Sequence, residues 1–170
     1  MRDGGGKQKG SAFEREVAVS LSKWISYGAK EDLLWRSAMS GGRATVWRDK
    51  KGVILGNQSG DLSSIHPDGH NFIDKFYVEL KSYKDLQYQG LITNTGYLCK
   101  FWQSTVTEAN QYKKHPMLIA KQNRLPMVVF LQVRGLRLLR LHIEQSILAS
   151  CQRGMYGFLF EDFIRWAQPL

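Results

Sequence analysis

The chain has 170 residues, 43% hydrophobic and 23% charged, which is the composition of a folded domain and not of a disordered segment. No apolar run approaches the roughly 18 to 20 residues that span a bilayer, and the N-terminus lacks an apolar signal stretch, so we expect a cytoplasmic protein without a membrane segment. The formal net charge of +9 favours a polyanionic partner, nucleic acid before membrane.

The first half of the chain is predicted to hold one long helix followed by short strands. Residues 1–10 are rich in glycine and basic residues, which predicts a flexible basic arm. From Ser11 to about Tyr27 apolar residues recur at helical spacing. The strands predicted after this helix are 33–36, a pair within 45–55, 60–65 and 72–81. The sequence His66-Pro67-Asp68-Gly69 predicts a turn before the last of them.

The second half is predicted to complete the domain with further helices and strands. The predicted elements are a loop at 83–98, a helix at 101–114, a buried-type strand at 126–133, a segment at 136–142 after the Arg134-Gly135 turn, and short helices near 144–150 and 160–167. The order of helix, strands, helix, strands and helices predicts one α/β domain over residues 11–170, with a central mixed β-sheet flanked by helices.

A carboxylate and an ammonium share one face of the strand that contains Tyr77-Val78-Glu79-Leu80-Lys81. Side chains alternate between the faces of a strand, so Glu79 and Lys81 point the same way as Tyr77. A metal ligand and a catalytic lysine would be presented together in this way. A cross-face ion pair on an exposed edge is the alternative, and it explains most Glu-x-Lys sequences.

Asp61 is a second candidate ligand, because it follows Gly60 at the start of a short predicted strand. Two adjacent antiparallel strands can bring Asp61 and Glu79 to one sheet edge, and paired carboxylates suit a hard divalent cation such as Mg²⁺. The alternative is an Asx-type turn that closes the loop at Gly60.

Glu14 lies within the apolar arc of the first predicted helix, whereas Glu16 points away from that arc. A carboxylate aimed at a core is costly unless it is paired or binds metal. The alternative is a capping box, in which Ser11 is the N-cap of the helix and Glu14 reaches back to the Ser11 amide. Both interpretations stay open on the residues alone.

Four blocks, taken in order, resemble the archaeal-type Holliday-junction resolvases. They are Lys9-Gly10-Ser11-Ala12-Phe13-Glu14-Arg15, Arg36-Ser37-Ala38-Met39-Ser40-Gly41, Gly60-Asp61-Leu62 and Glu79-Leu80-Lys81-Ser82-Tyr83-Lys84. The resemblance covers about the first half of the chain. It implies a restriction-endonuclease-like domain of the PD-(D/E)XK nuclease superfamily, acting as a homodimer that cuts four-way DNA junctions with Mg²⁺, for which Mn²⁺ substitutes.

By this resemblance Glu14, Asp61 and Glu79 would hold the metal, Lys81 would orient or activate the attacking water, and Ser40 would lie beside the scissile phosphate. The chain departs from the family at Gly60, which replaces a proline, and in longer segments at 40–61 and 83–98. Substrate choice depends on such loops. A restriction, repair or phage genome-processing nuclease of the same fold is therefore the alternative, and a non-cleaving DNA-binding module is the alternative from another class.

The basic residues are distributed as expected for a DNA-binding face, because no acidic residue lies between Glu108 and Glu144. A solvated basic surface is the plainer alternative. No nucleotide cofactor is expected, since Gly4-Gly5-Gly6 lacks the context of a phosphate-binding loop. The residues expected to contact DNA are Arg2, Lys7, Lys9, Arg15, Arg43, Gln103, Lys113, Lys114, Lys121 and Arg124.

Overall fold

The structure is a computed structural model that describes residues 5–37, 59–150 and 153–170, with side chains from residue 10 onward. By its internal contacts the chain divides into an N-terminal unit, Met1–Lys75, and a C-terminal unit, Phe76–Leu170. None of the helices in the described ranges has the length and apolarity needed to cross a membrane.

The N-terminal unit packs a long helix against a small antiparallel strand pair. Its elements are helix α1 (Gly5–Ile25), strands β1 (Leu34–Arg36) and β2 (Leu62–Ser64), and helix α2 (Pro67–Lys75). Phe13, Val17 and Leu21 recur at helical spacing and are buried. The ring of Trp24 then meets Phe72 of α2 edge-on, with centroids 5.7 Å apart.

Helix α1 ends because two consecutive residues take the left-handed conformation, Tyr27 at φ 53° and Gly28 at φ 89°. The Gly28 N–H donates a 2.7 Å hydrogen bond to the Lys23 carbonyl. The buried hydroxyl of Ser22 then accepts a 3.0 Å hydrogen bond from the Leu34 N–H, which ties β1 to the helix. These contacts fix which residues of α1 face β1.

The C-terminal unit is built on a five-stranded mixed sheet of order β3-β4-β5-β7-β6. Strands β3 and β4 are parallel, and every other neighbouring pair is antiparallel. The strands are β3 (Phe76–Tyr83), β4 (His115–Gln122), β5 (Met127–Leu131), β6 (Leu148–Ser150) and β7 (Met155–Leu159).

Helices connect and flank this sheet. They are α3 (Gly90–Thr93), α4 (Gly96–Gln111), α5 (Val133–Leu138) and α6 (Phe160–Trp166), with a 3-10 turn at Ile143–Gln145. Trp102 of α4 is buried in one core cluster with Leu118 of β4 and Phe130 of β5. Its indole N–H donates to the Arg153 carbonyl at 3.0 Å, so the one polar atom of the ring is satisfied.

The predicted α/β fold with a central mixed sheet flanked by helices is confirmed. The strands predicted at 33–36, 60–65 and 126–133 and the helix at 160–167 are present with small shifts at their ends. The strand pair predicted within 45–55 lies outside the described residues.

Several predicted elements were wrong. The first helix begins at Gly5 and not at Ser11, and residues 67–75 form α2 instead of a turn and the start of a strand. The 83–98 loop contains α3, residues 136–142 include part of α5, and the helix expected near 144–150 is a 3-10 turn followed by β6. Strands β4 and β7 were not predicted. Each pairs on one side with its neighbour in the chain and on the other side with a strand more distant in sequence, β4 with β3 and β7 with β5, and local periodicity does not report that second pairing.

Candidate active site

Glu79 and Lys81 form an ion pair on one face of β3. The Tyr77 hydroxyl donates a 3.4 Å hydrogen bond to Glu79 Oε2, while Lys81 Nζ contacts Oε1 of the same carboxylate. The side chain of Glu79 is 18% exposed and that of Lys81 is 29% exposed. Both side chains are therefore mostly buried, and each keeps some solvent exposure.

The parallel pairing of β3 with β4 determines which face carries these two charges. Glu79 lies opposite Leu118 and Lys81 opposite Ala120, so the pair lies on the sheet face covered by α4. Val78 is buried on the other face. Among the described strands β3 is hydrogen-bonded on one side only, which leaves Glu79 and Lys81 at the edge of the sheet.

Lys81 has a second neighbour on this face, the ring of Phe101 on α4. The ammonium lies 5.5 Å from the ring centroid, a distance at which cation and ring attract each other. Lys81 is therefore held between a carboxylate and an aromatic ring. This double contact orders a side chain that would otherwise sample many rotamers.

Glu14 in the N-terminal unit is paired with Arg36 of β1. The same guanidinium donates from Nη1 to Ser11 Oγ at 2.9 Å. The capping-box interpretation of Ser11 and Glu14 is wrong, because α1 begins at Gly5 and both residues lie inside it. The Glu14 side chain does point toward the interior of the unit, as its place in the apolar arc predicted, and it pairs there with Arg36.

Asp61 is held at the start of β2 by its main chain. Its carbonyl accepts a 2.8 Å hydrogen bond from the Ser37 N–H, next to the register pair of Arg36 and Leu62. The preceding Gly60 has φ 83°, a left-handed conformation that glycine adopts easily and that proline is barred from by its ring. The replacement of the superfamily's proline by Gly60 therefore goes with a different backbone turn into β2.

The side chains predicted to contact DNA differ in how accessible they are. Lys114 is buried, at 8% exposure, so little of it is accessible to a ligand at the surface. Gln103 is exposed and accepts a hydrogen bond from Arg153 at 3.4 Å. Arg15, Lys113 and Arg124 are exposed and Lys121 is half-buried. Arg2, Ser40 and Arg43 and the side chains of Lys7 and Lys9 lie outside what the structure describes.

The donor chemistry of the predicted ligands suits a hard cation, since each supplies carboxylate oxygen. Within the described ranges no group of three or more His, Cys, Asp or Glu side chains is placed to hold a metal ion. Glu79 is the carboxylate whose local setting fits best, because it lies accessible at a sheet edge beside Lys81. The three-carboxylate set of Glu14, Asp61 and Glu79 stays a prediction.

The sequence interpretation missed the aromatic neighbours of Lys81. Tyr83 ends β3, and Tyr97 and Phe101 lie one turn apart on α4, where their rings stack at 6.2 Å. The i, i+4 spacing of Tyr97 and Phe101 was the available signal. It was overlooked because residues 83–98 were predicted to be a loop.

A mixed sheet flanked by helices, with a Glu-x-Lys pair on its edge strand, is consistent with a restriction-endonuclease-like domain. Residues 5–148 match the family model described as "Phage putative PDDEXK endonuclease", and the chain belongs to that family. It is thus a nuclease of the PD-(D/E)XK superfamily, whose members generally depend on a divalent metal ion. Neither the curated proteins nor the solved structures contain a match to the chain.

Proposed function

We propose that the protein is a Mg²⁺-dependent endodeoxyribonuclease that hydrolyses phosphodiester bonds in branched DNA. Its preferred substrate in this proposal is a four-way junction. The observation that carries the proposal is the accessible Glu79–Lys81 pair on the edge strand β3. The ion pair itself adds little to the stability of the fold, because ion pairs near the surface contribute about 0 to 1 kcal/mol. Stability alone is therefore a weak reason for these two residues to occur together here. The order of the four sequence blocks supports the choice of junction DNA.

In this proposal Asp61 and Glu79 hold the metal ion, with Glu14 as a third ligand or as the group that holds Arg36. When bound, Mg²⁺ lowers the pKa of a coordinated water and neutralises charge on the scissile phosphate. Lys81 contacts the nucleophile or a phosphate oxygen, and Tyr77 keeps the Glu79 carboxylate in place through its hydroxyl. Ser40 would lie beside the same phosphate.

Phosphate contacts would come from the exposed cations Arg15, Lys113 and Arg124, with Lys121 at the end of β4. Neutralising several phosphates makes binding steeply dependent on salt. We also propose that the protein acts as a homodimer, because a two-fold pair of sites can cut opposing strands of a branched molecule symmetrically.

The second candidate is a phage genome-processing nuclease that acts on linear duplex, which the family match favours as readily. A non-cleaving DNA-binding module is the third, and it would have no need to keep Asp61, Glu79 and Lys81 together in one chain.

The test compares a labelled four-way junction with a linear duplex of matched sequence, with Mg²⁺, with Mn²⁺ and in EDTA. We expect paired, symmetric nicks in the junction and much weaker cutting of the duplex. Equal activity on both substrates would favour the genome-processing candidate. Binding without cleavage under every metal condition would favour the binding module, and a monomer at micromolar concentration would contradict the dimeric resolvase.

A further inference from the structure

Three aromatic side chains of the C-terminal unit form a group at the surface beside Lys81, which we call the aromatic cluster: Tyr83, Tyr97 and Phe101. Ring centroids are 5.1 Å apart for Tyr83 and Phe101 and 5.6 Å apart for Tyr83 and Tyr97. Tyr83 is 43% exposed and Tyr97 is 45% exposed. Two aromatic side chains are therefore exposed to solvent, although burying them would stabilise the fold.

The aromatic cluster is held in place by the structure beneath it. Phe101 packs against the core cluster that contains Trp102. The Tyr97 N–H donates to Gln87 Oε1 at 3.1 Å, and the Tyr83 carbonyl accepts from the Asn123 N–H at 3.1 Å. The main chain that carries these rings is already ordered before a ligand stacks on them. Binding therefore costs less conformational entropy of the protein.

A cation lies beside the aromatic cluster. Lys81 lies over the Phe101 ring, and exposed Lys100 precedes Phe101 on α4. The nearby Asp85 carboxylate accepts the Gln87 N–H at 2.9 Å. Aromatic rings set among cations are the combination with which proteins bind single-stranded nucleic acid, the rings stacking on bases and the cations meeting phosphates.

The Lys81 ammonium and the three rings lie close together on this face. Lys81 Nζ is 5.5 Å from the Phe101 centroid, and the Tyr83 and Tyr97 centroids are 5.1 and 6.2 Å from that centroid. Successive stacked nucleotides are about 3.4 Å apart along a strand. A phosphate at Lys81 and a base on the tyrosines would therefore lie within a few nucleotides of each other on one strand.

We propose that the aromatic cluster stacks on an unpaired base next to the phosphodiester bond that is cut. The substrate class is then DNA with at least one base outside the helical stack, as at a branch point, a gap or a frayed end. A fully paired duplex covers both faces of each base, and extracting a base is least costly where it is already unpaired or mismatched. This inference rests on the proposed function, because it takes Glu79 and Lys81 as the site of cutting.

The first experiment measures binding of a short single-stranded oligonucleotide in EDTA, where no cutting occurs. Tyr97→Leu and Tyr83→Leu keep apolar volume and lose the flat ring, so we expect binding to weaken about 5- to 150-fold. Tyr97→Phe keeps the ring and should bind like the wild type. Tyr27→Leu is the matched control, since Tyr27 is 84% exposed and belongs to the N-terminal unit.

The second experiment needs no substitution. An oligonucleotide carrying 5-iodouracil crosslinks under long-wavelength light to aromatic side chains that stack on it, and peptide mass spectrometry locates the adduct. We expect the adduct on Tyr83 or Tyr97 of the wild-type protein. Adducts confined to other residues, or leucine variants that bind as tightly as the wild type, would overturn the proposal.

The two proposals fail separately. A wild-type protein that forms the adduct on Tyr97 but cuts no DNA with Mg²⁺ or Mn²⁺ retains the stacking site and loses the nuclease function proposed for Glu79 and Lys81. A protein that cuts DNA while Tyr83→Leu and Tyr97→Leu change neither binding nor cutting retains the nuclease site and loses the stacking site.

Discussion

Arg36 of β1 pairs with Glu14 of α1 inside the N-terminal unit, and its Nη1 also donates to Ser11 Oγ at 2.9 Å. The side chains of Arg36 and Glu14 are 36% and 19% exposed, so the pair contributes about 0.2 to 1 kcal/mol to stability. Such a contribution is small for a carboxylate that lies in an apolar arc. The contact with Arg36 explains how the Glu14 carboxylate is accommodated in the apolar arc. If Glu14 holds no metal, its effect on the proposed reaction would pass through Arg36.

Glu14→Gln should lower cleavage by orders of magnitude while the melting temperature changes by only a few degrees. Glutamine and glutamate have similar helix propensities, so α1 is kept and only the negative charge is removed. Cleavage of labelled DNA and thermal unfolding followed by circular dichroism measure the two effects. Partial rescue of cleavage by raised Mg²⁺ or by Mn²⁺ would indicate a metal ligand, and no rescue would indicate action through Arg36.

Glu16→Gln is the control for this variant, because Glu16 lies on the same helix and is exposed. It should cut DNA at nearly the wild-type rate. If Glu14→Gln and Glu16→Gln are equally active, Glu14 has no part in the reaction and is to be removed from the proposed site.

Glu79→Gln and Lys81→Met should each abolish detectable cleavage while DNA binding in EDTA persists. Glu79→Gln removes a negative charge near DNA, so its binding should equal or exceed that of the wild type. Lys81→Met removes one cation and should weaken binding only slightly. Fluorescence anisotropy measures the binding, and a single-turnover assay with Mg²⁺ measures the cutting.

Lys75→Met provides the control for Lys81→Met, since Lys75 is an exposed lysine at the end of α2. It should leave cleavage unchanged. A Glu79→Gln variant that still cuts at a rate close to that of the wild type would remove Glu79 from the catalytic assignment, and β3 would then carry only a structural ion pair.

The part of the site on β3 could be predicted because it depends on one short segment. The alternation of a strand puts Tyr77, Glu79 and Lys81 on one face wherever that strand lies in the fold. The observed hydrogen bond from Tyr77 to Glu79 and the ion pair of Glu79 with Lys81 follow from that alternation. The α/β class was predictable for the same reason, since it depends on the order of local patterns.

Other features depend on contacts between segments that are distant in sequence. The pairing of Glu14 with Arg36 joins a helix to a strand, and the aromatic cluster joins the end of β3 to α4. Helix α2 was missed for a local reason. His66-Pro67-Asp68-Gly69 has the composition of a turn, yet proline in the first helical turn with an acidic residue after it is also a start signal. The His66 ring completes this start by accepting the Asp68 N–H at 3.2 Å.

Gly157→Ala should destabilise the C-terminal unit by about 1 to 3 kcal/mol, the usual cost of overpacking. Gly157 of β7 lies opposite Phe130 of β5, and a Cβ at this position would come within 2.7 Å of the Phe130 ring. Gly10→Ala is the control, since a Cβ at Gly10 meets nothing within 4 Å and alanine favours a helix. Chemical denaturation should show the first variant weaker than the wild type and the second at least as stable. Equal stability of Gly157→Ala and the wild type would mean that the Phe130 ring moves aside easily.

Tyr88→Phe should remove part of the loss of stability at alkaline pH. Burial raises the pKa of the Tyr88 hydroxyl to about 12, and this hydroxyl has no hydrogen-bond partner among the described residues. The pKa of tyrosine in an unfolded chain is about 10. Between about pH 10 and 12 the unfolded chain therefore gives up a proton that the folded chain keeps, so stability falls as the pH rises through this window.

Denaturation curves of Tyr88→Phe and the wild type, measured in steps from pH 8 to about pH 11.5, test this linkage. At pH 8 the Tyr88→Phe variant should be at least as stable as the wild type. No hydrogen bond is lost in this variant, and a polar hydroxyl is removed from an apolar setting. Above about pH 10 the difference should widen in favour of phenylalanine. Tyr27→Phe is the control, since water solvates that exposed hydroxyl in the folded and unfolded chain alike. A constant difference between Tyr88→Phe and the wild type across the whole range would show that Tyr88 ionises as readily in the folded chain as in the unfolded one.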